Sequence, residues 1–260
     1  MLRPGDVIAD QFEIEALADS GGMGAVYRAR DRRTGAAVAI KVLLSVGAGD
    51  DPRFAHEARV LAEIEHPAIV RYVAHGRTPA GEQYLAMEWL EGEDLGRRIA
   101  HAGLTVADSV ALTMRLAEGL ASMHDLGIVH RDVKPSNIFL HEGRIDRAKI
   151  VDLGLAHRTA ASRAMTRTGT AIGTPGYMAP EQARGDRDID ARADVFSLGC
   201  VLFECLTGRP PFVADHPMGI LAKILFEEAV RVTSLRPDVP LVLEDLVARM
   251  LRKSRDERPP

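Results

Sequence analysis

Eight consecutive residues, His130-Arg-Asp-Val-Lys-Pro-Ser-Asn137, place a carboxylate, an ammonium and an amide on one short stretch. Those three groups suit three roles at a single site. Asp132 can orient or accept a hydroxyl proton, Lys134 can neutralise charge developing on a phosphate, and Asn137 can ligate a hard cation. Arg131 brings a cation that calls for an anion nearby. Further on, Val151-Asp-Leu-Gly154 sets an acid at the end of an apolar run, before a turn. Asp152 and Asn137 are then two oxygen donors at the ends of paired strands, a set suited to magnesium.

A second cluster lies earlier. Ser20-Gly-Gly-Met-Gly-Ala-Val26 is a glycine turn between two strand-like runs. Glycine lets backbone N–H groups approach a phosphate closely, yet the same residues suit a plain hairpin turn. No Gly-Lys-Ser/Thr follows, which excludes a P-loop. In Val38-Ala-Ile-Lys-Val42, alternation puts Lys41 on the face of Ala39 and Leu43, opposite Val38, Ile40 and Val42. An ammonium flanked by apolar surface needs an anionic partner. Glu57 is three residues after Phe54 and four before Leu61, on the apolar stripe of a helix, and so is that partner. Downstream, Gly173-Thr-Pro-Gly-Tyr-Met-Ala-Pro-Glu181 is rich in turns. Asp194 is an acid inside an apolar helix: either a solvent-facing first-turn carboxylate or a buried one with a specific partner.

Elements that position these groups follow from periodicity. Runs at 12–17, 25–29, 37–43 and 84–89 read as strands, with a helix over 52–65 carrying Phe54, Leu61 and Ile64 on one face. Residues 90–94 read as a connector. Asp108 can cap a helix to about Asp125, with Gly127 past its end. A second long helix is predicted near 193–207, stopped by Gly208, Pro210 and Pro211. Between them lie short strands at 138–140 and 149–151. A strand-rich half followed by a helix-rich half predicts two lobes meeting near 88–94.

Composition narrows the classes. The 260 residues are 46% hydrophobic and 27% charged with net charge −4, so no basic excess points to nucleic acid or an anionic membrane. Two cysteines, Cys200 and Cys205, share one apolar stretch and can build neither a disulfide framework nor a four-ligand zinc site. The longest apolar run, residues 195–206, is too short to span a membrane, and Met1-Leu-Arg-Pro-Gly-Asp6 predicts no signal region. Of 33 basic residues only five are lysines, at 41, 134, 149, 223 and 253. Each raises the question of why arginine would not serve.

Taken together, the glycine loop, Ala-Ile-Lys41, Glu57, His-Arg-Asp132 with Asn137, Asp-Leu-Gly154, Ala-Pro-Glu181 and Asp194 occur in the order and spacing of a protein kinase. Over essentially its whole length the chain resembles the eukaryotic-like protein kinases, in wording most like the bacterial serine/threonine branch. The resemblance implies an α+β, two-lobed kinase fold: a strand-rich N-lobe with one main helix over about 1–87, a hinge over about 88–93, and a mainly helical C-lobe over 94–260 lacking its last helix. It implies ATP-dependent phosphoryl transfer to serine or threonine hydroxyls of protein substrates, with magnesium, or manganese in its place. Lys41, braced by Glu57, would hold the α- and β-phosphates under the loop of Gly21, Gly22 and Gly24. Asn137 and Asp152 would bind the metal and Asp132 would be the base. Lys134 is the serine/threonine-type residue, and Thr174 would contact Asp132 and Lys134. Val26 and Ala39 would roof the adenine with Phe139 beneath it. Met87 would be the gatekeeper, Glu88 to Leu90 the adenine-reading segment, and Asp94 a ribose contact. Buried Asp194 would hold the catalytic-loop backbone, and Glu181 would pair with Arg258.

Residues 152–181 would form the activation segment, with Thr166, Thr168 and Thr170 as phosphorylation candidates and Arg131 as a receiver of one phosphate. The partners implied are proteins, not nucleic acid or membrane, with a homodimer through the N-lobe as an arrangement known among relatives. The compartment implied is cytoplasmic, or the cytosolic side if a longer protein is anchored. Three departures stand out. Asp19 replaces the first loop glycine, Leu153 stands where phenylalanine is frequent, and the chain stops at Arg258-Pro-Pro260. Asp19 either faces the triphosphate, where repulsion at about 4 Å is roughly 1–4 kcal/mol, or points into solvent. The alternatives to a kinase are a pseudokinase acting as a nucleotide-binding or scaffolding module, supported by Asp19 alone, and a small-molecule phosphotransferase, which Thr174 and Ala-Pro-Glu181 oppose.

Overall fold

The computed structural model describes residues 1–21, 24–43, 58, 61–152 and 175–260. They form two compact units, Met1–Glu91 and Gly92–Pro260.

The first unit is a six-stranded antiparallel sheet. Its strands are β1 (Val7–Ile8), β2 (Phe12–Gly21), β3 (Gly24–Asp31), β4 (Ala37–Leu43), β5 (Tyr72–Arg77) and β6 (Gln83–Glu88), in the spatial order β1-β2-β3-β4-β6-β5. Alternation decides which face is covered. Phe12, Ile14, Tyr27, Ala29, Val38, Ile40, Val42, Tyr84 and Ala86 pack into one buried cluster. Lys41 falls on the other face, in register with Val26 of β3 and Leu85 of β6. Gly24 has a packing reason of its own. At φ +145° a Cβ there would lie 2.1 Å from the Val42 carbonyl oxygen, so the sheet demands glycine whatever the turn binds. Of the helix expected over 52–65, Ala58, Leu61 and Ala62 are described and helical, with Ala58 and Leu61 buried. Phe54 and Glu57 lie outside the described residues. Periodicity predicts no strand at β5, because Tyr72-Val-Ala-His-Gly-Arg77 lacks an apolar alternation.

The second unit begins with a small sheet, β7 (Gly92–Asp94), β8 (Ile138–His141) and β9 (Ala148–Ile150). The connector expected at 90–94 is therefore partly a strand. Its three residues carry no periodicity, and pairing with β8 makes them one, with Gly92 opposite His141 and Asp94 opposite Phe139. The helices are α1 (Leu95–His101), α2 (Val106–His124), α3 (Pro180–Arg184), α4 (Arg192–Thr207), α5 (Pro217–Phe226) and α6 (Leu241–Met250). The expected cap of α2 is corrected from Asp108 to Thr105. The Thr105 hydroxyl oxygen accepts the Asp108 N–H at 3.0 Å and donates to its carboxylate at 2.7 Å. Asp108 is thus the third helical residue, where an acid complements the helix dipole. Helix α4 is buried on nearly every side, which its unbroken apolar run foreshadows. Gly199 lets it approach α6, since a Cβ would stand 2.8 Å from that of Met250.

One buried ion pair ties α3 to the far end of the unit. Arg258 donates through both terminal nitrogens to Glu181, at 2.6 and 2.7 Å, and Arg258 also donates to the carbonyls of Arg192, Arg252 and Lys253. Both side chains are shielded from water, so either charge left alone would be uncompensated. Arg258→Met is expected to lower unfolding free energy by about 3–5 kcal/mol, and the double change Glu181→Leu/Arg258→Met to recover a substantial part of it. Urea unfolding midpoints of the three proteins check both statements.

Candidate active site

The loop 130–137 is built around a carboxylate that comes from elsewhere in the chain. Asp194, in the first turn of α4, has no solvent exposure. Its Oδ2 accepts the backbone N–H of His130 at 2.8 Å and its Oδ1 that of Arg131 at 2.8 Å. His124 Nε2, at the end of α2, lies 2.8 Å from the same Oδ2. Of the two readings of Asp194, the solvent-facing one is excluded. Three donors hold a charge that burial alone would penalise.

That anchoring bears on backbone geometry. Arg131 sits at φ +69°, a left-handed conformation costing about 1–3 kcal/mol for a residue with a side chain. It is held from both sides: its N–H by Asp194 and its carbonyl by Gln182 Nε2 at 2.9 Å. Gln182 in turn accepts the Ala179 N–H at 2.9 Å, which starts α3. Gln182 and His124 are site-supporting residues that the sequence reading missed. The visible signal for Gln182 was a glutamine three residues after Ala179, a capping offset.

Beyond Arg131 the expected residues converge. Lys134 Nζ and Asn137 Nδ2 both donate to Asp132 Oδ2, at 2.8 and 2.9 Å. Asn137 Nδ2 also donates to the Asp132 carbonyl at 2.8 Å, and the Asp132 N–H donates to His130 Nδ1 at 3.2 Å. The carboxylate is therefore fixed in one orientation beside an ammonium. Because the amide nitrogen of Asn137 faces Asp132, its carbonyl oxygen is the donor atom left for a cation. The Asn137 carbonyl of the main chain accepts the Val151 N–H at 2.9 Å, and β8 pairs with β9 through Ile138 and Ile150. This pairing brings Asp152 to the same end of the strands, at φ +61°. One carboxylate and one amide oxygen fit magnesium, which takes few protein ligands and completes its shell with water and phosphate. Among the described residues no group of three or more His, Cys, Asp and Glu could hold a metal, so a dedicated all-protein cage is absent there.

In the strand-rich unit, Lys41 is buried, with 9% exposure. Val26 pairs with Lys41 and Ala39 with Met87, so Val26, Ala39, Lys41 and Met87 line the same sheet face. Glu88 is fastened by backbone: its N–H donates to the Arg71 carbonyl at 2.9 Å, and its Oε1 accepts the Arg71 N–H at 2.8 Å. Gly21 pairs with Gly24 across the turn. Asp19 is exposed and its Oδ1 accepts the N–H of Ser20 at 2.8 Å, an arrangement a solvated carboxylate adopts. In the other unit, Asp94 caps α1 by accepting the Arg97 N–H at 3.0 Å, opposite Phe139 in the sheet. Gly22, Glu57, Leu153, Thr166, Thr168, Thr170 and Thr174 lie outside the described residues.

The protein kinase domain family matches residues 12–260. The chain belongs to that family. This kinase domain is 38% identical over 260 residues to the serine/threonine-protein kinase PknB of Mycolicibacterium smegmatis, across 96% of the chain and 41% of that protein. It is 36% identical over 262 residues to the DNA damage-responsive serine/threonine-protein kinase RqkA of Deinococcus radiodurans, across 99% of the chain and 39% of that protein. The chain thus spans about two fifths of the length of these curated relatives. Among solved structures, the Mycobacterium tuberculosis PknI kinase domain superposes with a TM-score of 0.76 at 26% identity, covering 99% of this chain and 94% of that one. The fold is the α+β fold of bacterial serine/threonine kinase domains.

In a kinase domain so built, the Asp194 carboxylate holds the backbone of His130 and Arg131. Asp194→Asn replaces one acceptor oxygen with a donor facing an N–H. The amides of His130 and Arg131 are then expected to exchange hydrogen about 10–100-fold faster, the scale of one charged hydrogen bond. Residue-resolved hydrogen exchange measures this without recourse to activity.

Proposed function

We propose that this kinase domain transfers the γ-phosphoryl group of ATP to serine or threonine hydroxyls of protein substrates. The observation that carries the reading is the convergence of Lys134 and Asn137 on one oxygen of Asp132. A carboxylate held in that way can take the proton of an acceptor hydroxyl as the oxygen bonds to the γ-phosphorus and the bond to the β-phosphate oxygen breaks. Lys134 then sets positive charge where the equatorial phosphate oxygens gather.

In the same reading Lys41, braced by Glu57, holds the α- and β-phosphates, and the Gly21, Gly22 and Gly24 turn covers them. Asn137 and Asp152 hold a divalent cation, magnesium or manganese, which supplies neutralisation of phosphate charge. Val26, Ala39, Met87 and Phe139 enclose the adenine, the backbone of Glu88 to Leu90 reads it, and Asp94 accepts from the ribose. Thr174 orders the acceptor side beside Asp132 and Lys134. Substrates are proteins, and the kinship with bacterial serine/threonine kinases supports action in the cytoplasm, or on the cytosolic side if a longer protein is anchored. Association of two copies through the strand-rich unit belongs to the same reading. No helix of the described residues is long and apolar enough to cross a membrane.

Labelled phosphate from ATP should reach the chain itself and a generic protein acceptor only with a divalent cation present. Lys41→Met and Asp132→Asn should each reduce transfer by at least about 100-fold. Transfer that survives both changes would overturn the assignment. In magnesium-ATP-treated wild type, phosphopeptide mapping should find Thr166 and Thr168 modified in preference to Thr170, as the resemblance to the bacterial branch implies, and one phosphate of this segment can pair with the Arg131 guanidinium. An active preparation with residues 153–174 unmodified would sink that part.

A further inference from the structure

The chain has one tryptophan, Trp89, between the two residues whose backbone is assigned to adenine. Glu88 is held by β-pairing with Val38 and by its bonds to Arg71. Residues 89–91 have left the sheet, and side-chain contacts fasten them to β3. The indole Nε1 of Trp89 donates to Glu91 Oε1 at 2.7 Å. The Arg28 guanidinium lies over the indole, 5.3 Å from its centroid, and its NH1 stands 3.7 Å from the same Glu91 oxygen. Arg28 is itself steadied by Glu15 of β2, whose Oε2 is 3.1 Å from its Nε, while Glu15 Oε1 pairs with Arg30 at 2.8 Å.

The register shows why this matters. Arg28 pairs with Ala39 as Val26 pairs with Lys41, so all four side chains leave one face of the sheet. Arg28 ends the row that the proposed function gives to the nucleotide, and it closes a triangle with Trp89 and Glu91. A guanidinium suits that corner because one broad cation can cover the indole while facing the carboxylates of Glu15 and Glu91, a reach that a compact ammonium lacks.

We propose that Arg28 is a positioning residue. Through Trp89 and Glu91 it holds the main chain of residues 89–91 against β3, and thereby sets affinity for the purine of the nucleotide. This rests on the reading of the domain as an ATP-dependent kinase. The contacts are partly exposed, so the effect is graded rather than all-or-none.

The test uses the full chain with Arg28→Met, which keeps the apolar stem and removes the charge, and Arg28→Lys. Trp89 emission is read in the absence of nucleotide, then KM for ATP and kcat are measured. For Arg28→Met the emission should move to longer wavelength as the indole loses its cover. The KM for ATP should rise about 3–5-fold with the loss falling on KM rather than kcat, and Arg28→Lys should recover part of both. Unchanged emission overturns the contact. Shifted emission with KM within about 1.5-fold of wild type, or a loss confined to kcat, overturns the positioning role. A wild type that neither binds nor turns over ATP overturns the kinase reading and this inference with it. A wild type that does so while Arg28→Met matches it overturns the inference alone.

Discussion

Two consecutive backbone N–H groups, of His130 and Arg131, point at one buried carboxylate, and the geometry of the helical unit's site depends on that constraint. A loop has no ladder to fix it, so its dihedrals are set by whatever satisfies its polar groups. Asp194 accepts at both oxygens, and the reward is large enough to hold Arg131 in a left-handed conformation. That turn decides where Asp132 goes next. With the main chain fixed, two short bonds from Lys134 and Asn137 suffice to lock the carboxylate. Had Asp194 been exposed, water would compete for the same donors and the loop would sample several conformations.

The same economy governs the second support. Gln182 uses its two amide atoms on different tasks, accepting at the start of α3 and donating to the Arg131 carbonyl. Helix α3 has only five residues and cannot hold itself in water. Its own residue Glu181 is buried against Arg258, so an ion pair at one end of the helical unit stabilises the element that pins the loop at another. A change at residue 258 can therefore reach Arg131 through packed, hydrogen-bonded intermediates with no contact between the two.

Much of this was legible in residues 12–43, 106–124 and 192–207, where the apolar period is strong and tertiary packing agrees with it. What the sequence could not supply were features created by pairing. Strand β7 exists because β8 is beside it, and Thr105 outcompetes Asp108 as a cap because its hydroxyl reaches the third N–H of the helix. The candidate site was readable as residue types but not as bonds. Asp132, Lys134 and Asn137 stood out, whereas Gln182 and His124 are ordinary residues until folding places them beside Arg131 and Asp194. Gly24 shows the converse, a motif residue whose need for glycine comes from the Val42 carbonyl as well as from any phosphate.

The shortage of lysine also acquires a physical pattern. Lys134 touches a carboxylate with one compact charge, and Lys41 is buried on an apolar sheet face; both places reward a small, rotatable ammonium over a wide planar fork. Lys253 follows the same rule for a different reason. Its Nζ lies 4.1 Å from the centroid of Phe212 and 5.9 Å from that of Phe196, in a niche where burial pushes its pKa down. Phe196 and Phe212 are stacked, and the guanidinium of Arg258 already lies 5.1 Å from Phe196. A second guanidinium would crowd that space, whereas an ammonium fits over the ring and still donates to the Lys223 carbonyl at 3.3 Å. At these three places room is the limiting quantity and lysine is kept, whereas buried Arg258 faces a carboxylate and several carbonyls, a setting that uses the whole planar fork. Lys223, half-buried and paired among the described residues with Glu227 four residues on, has no such reason in the structure.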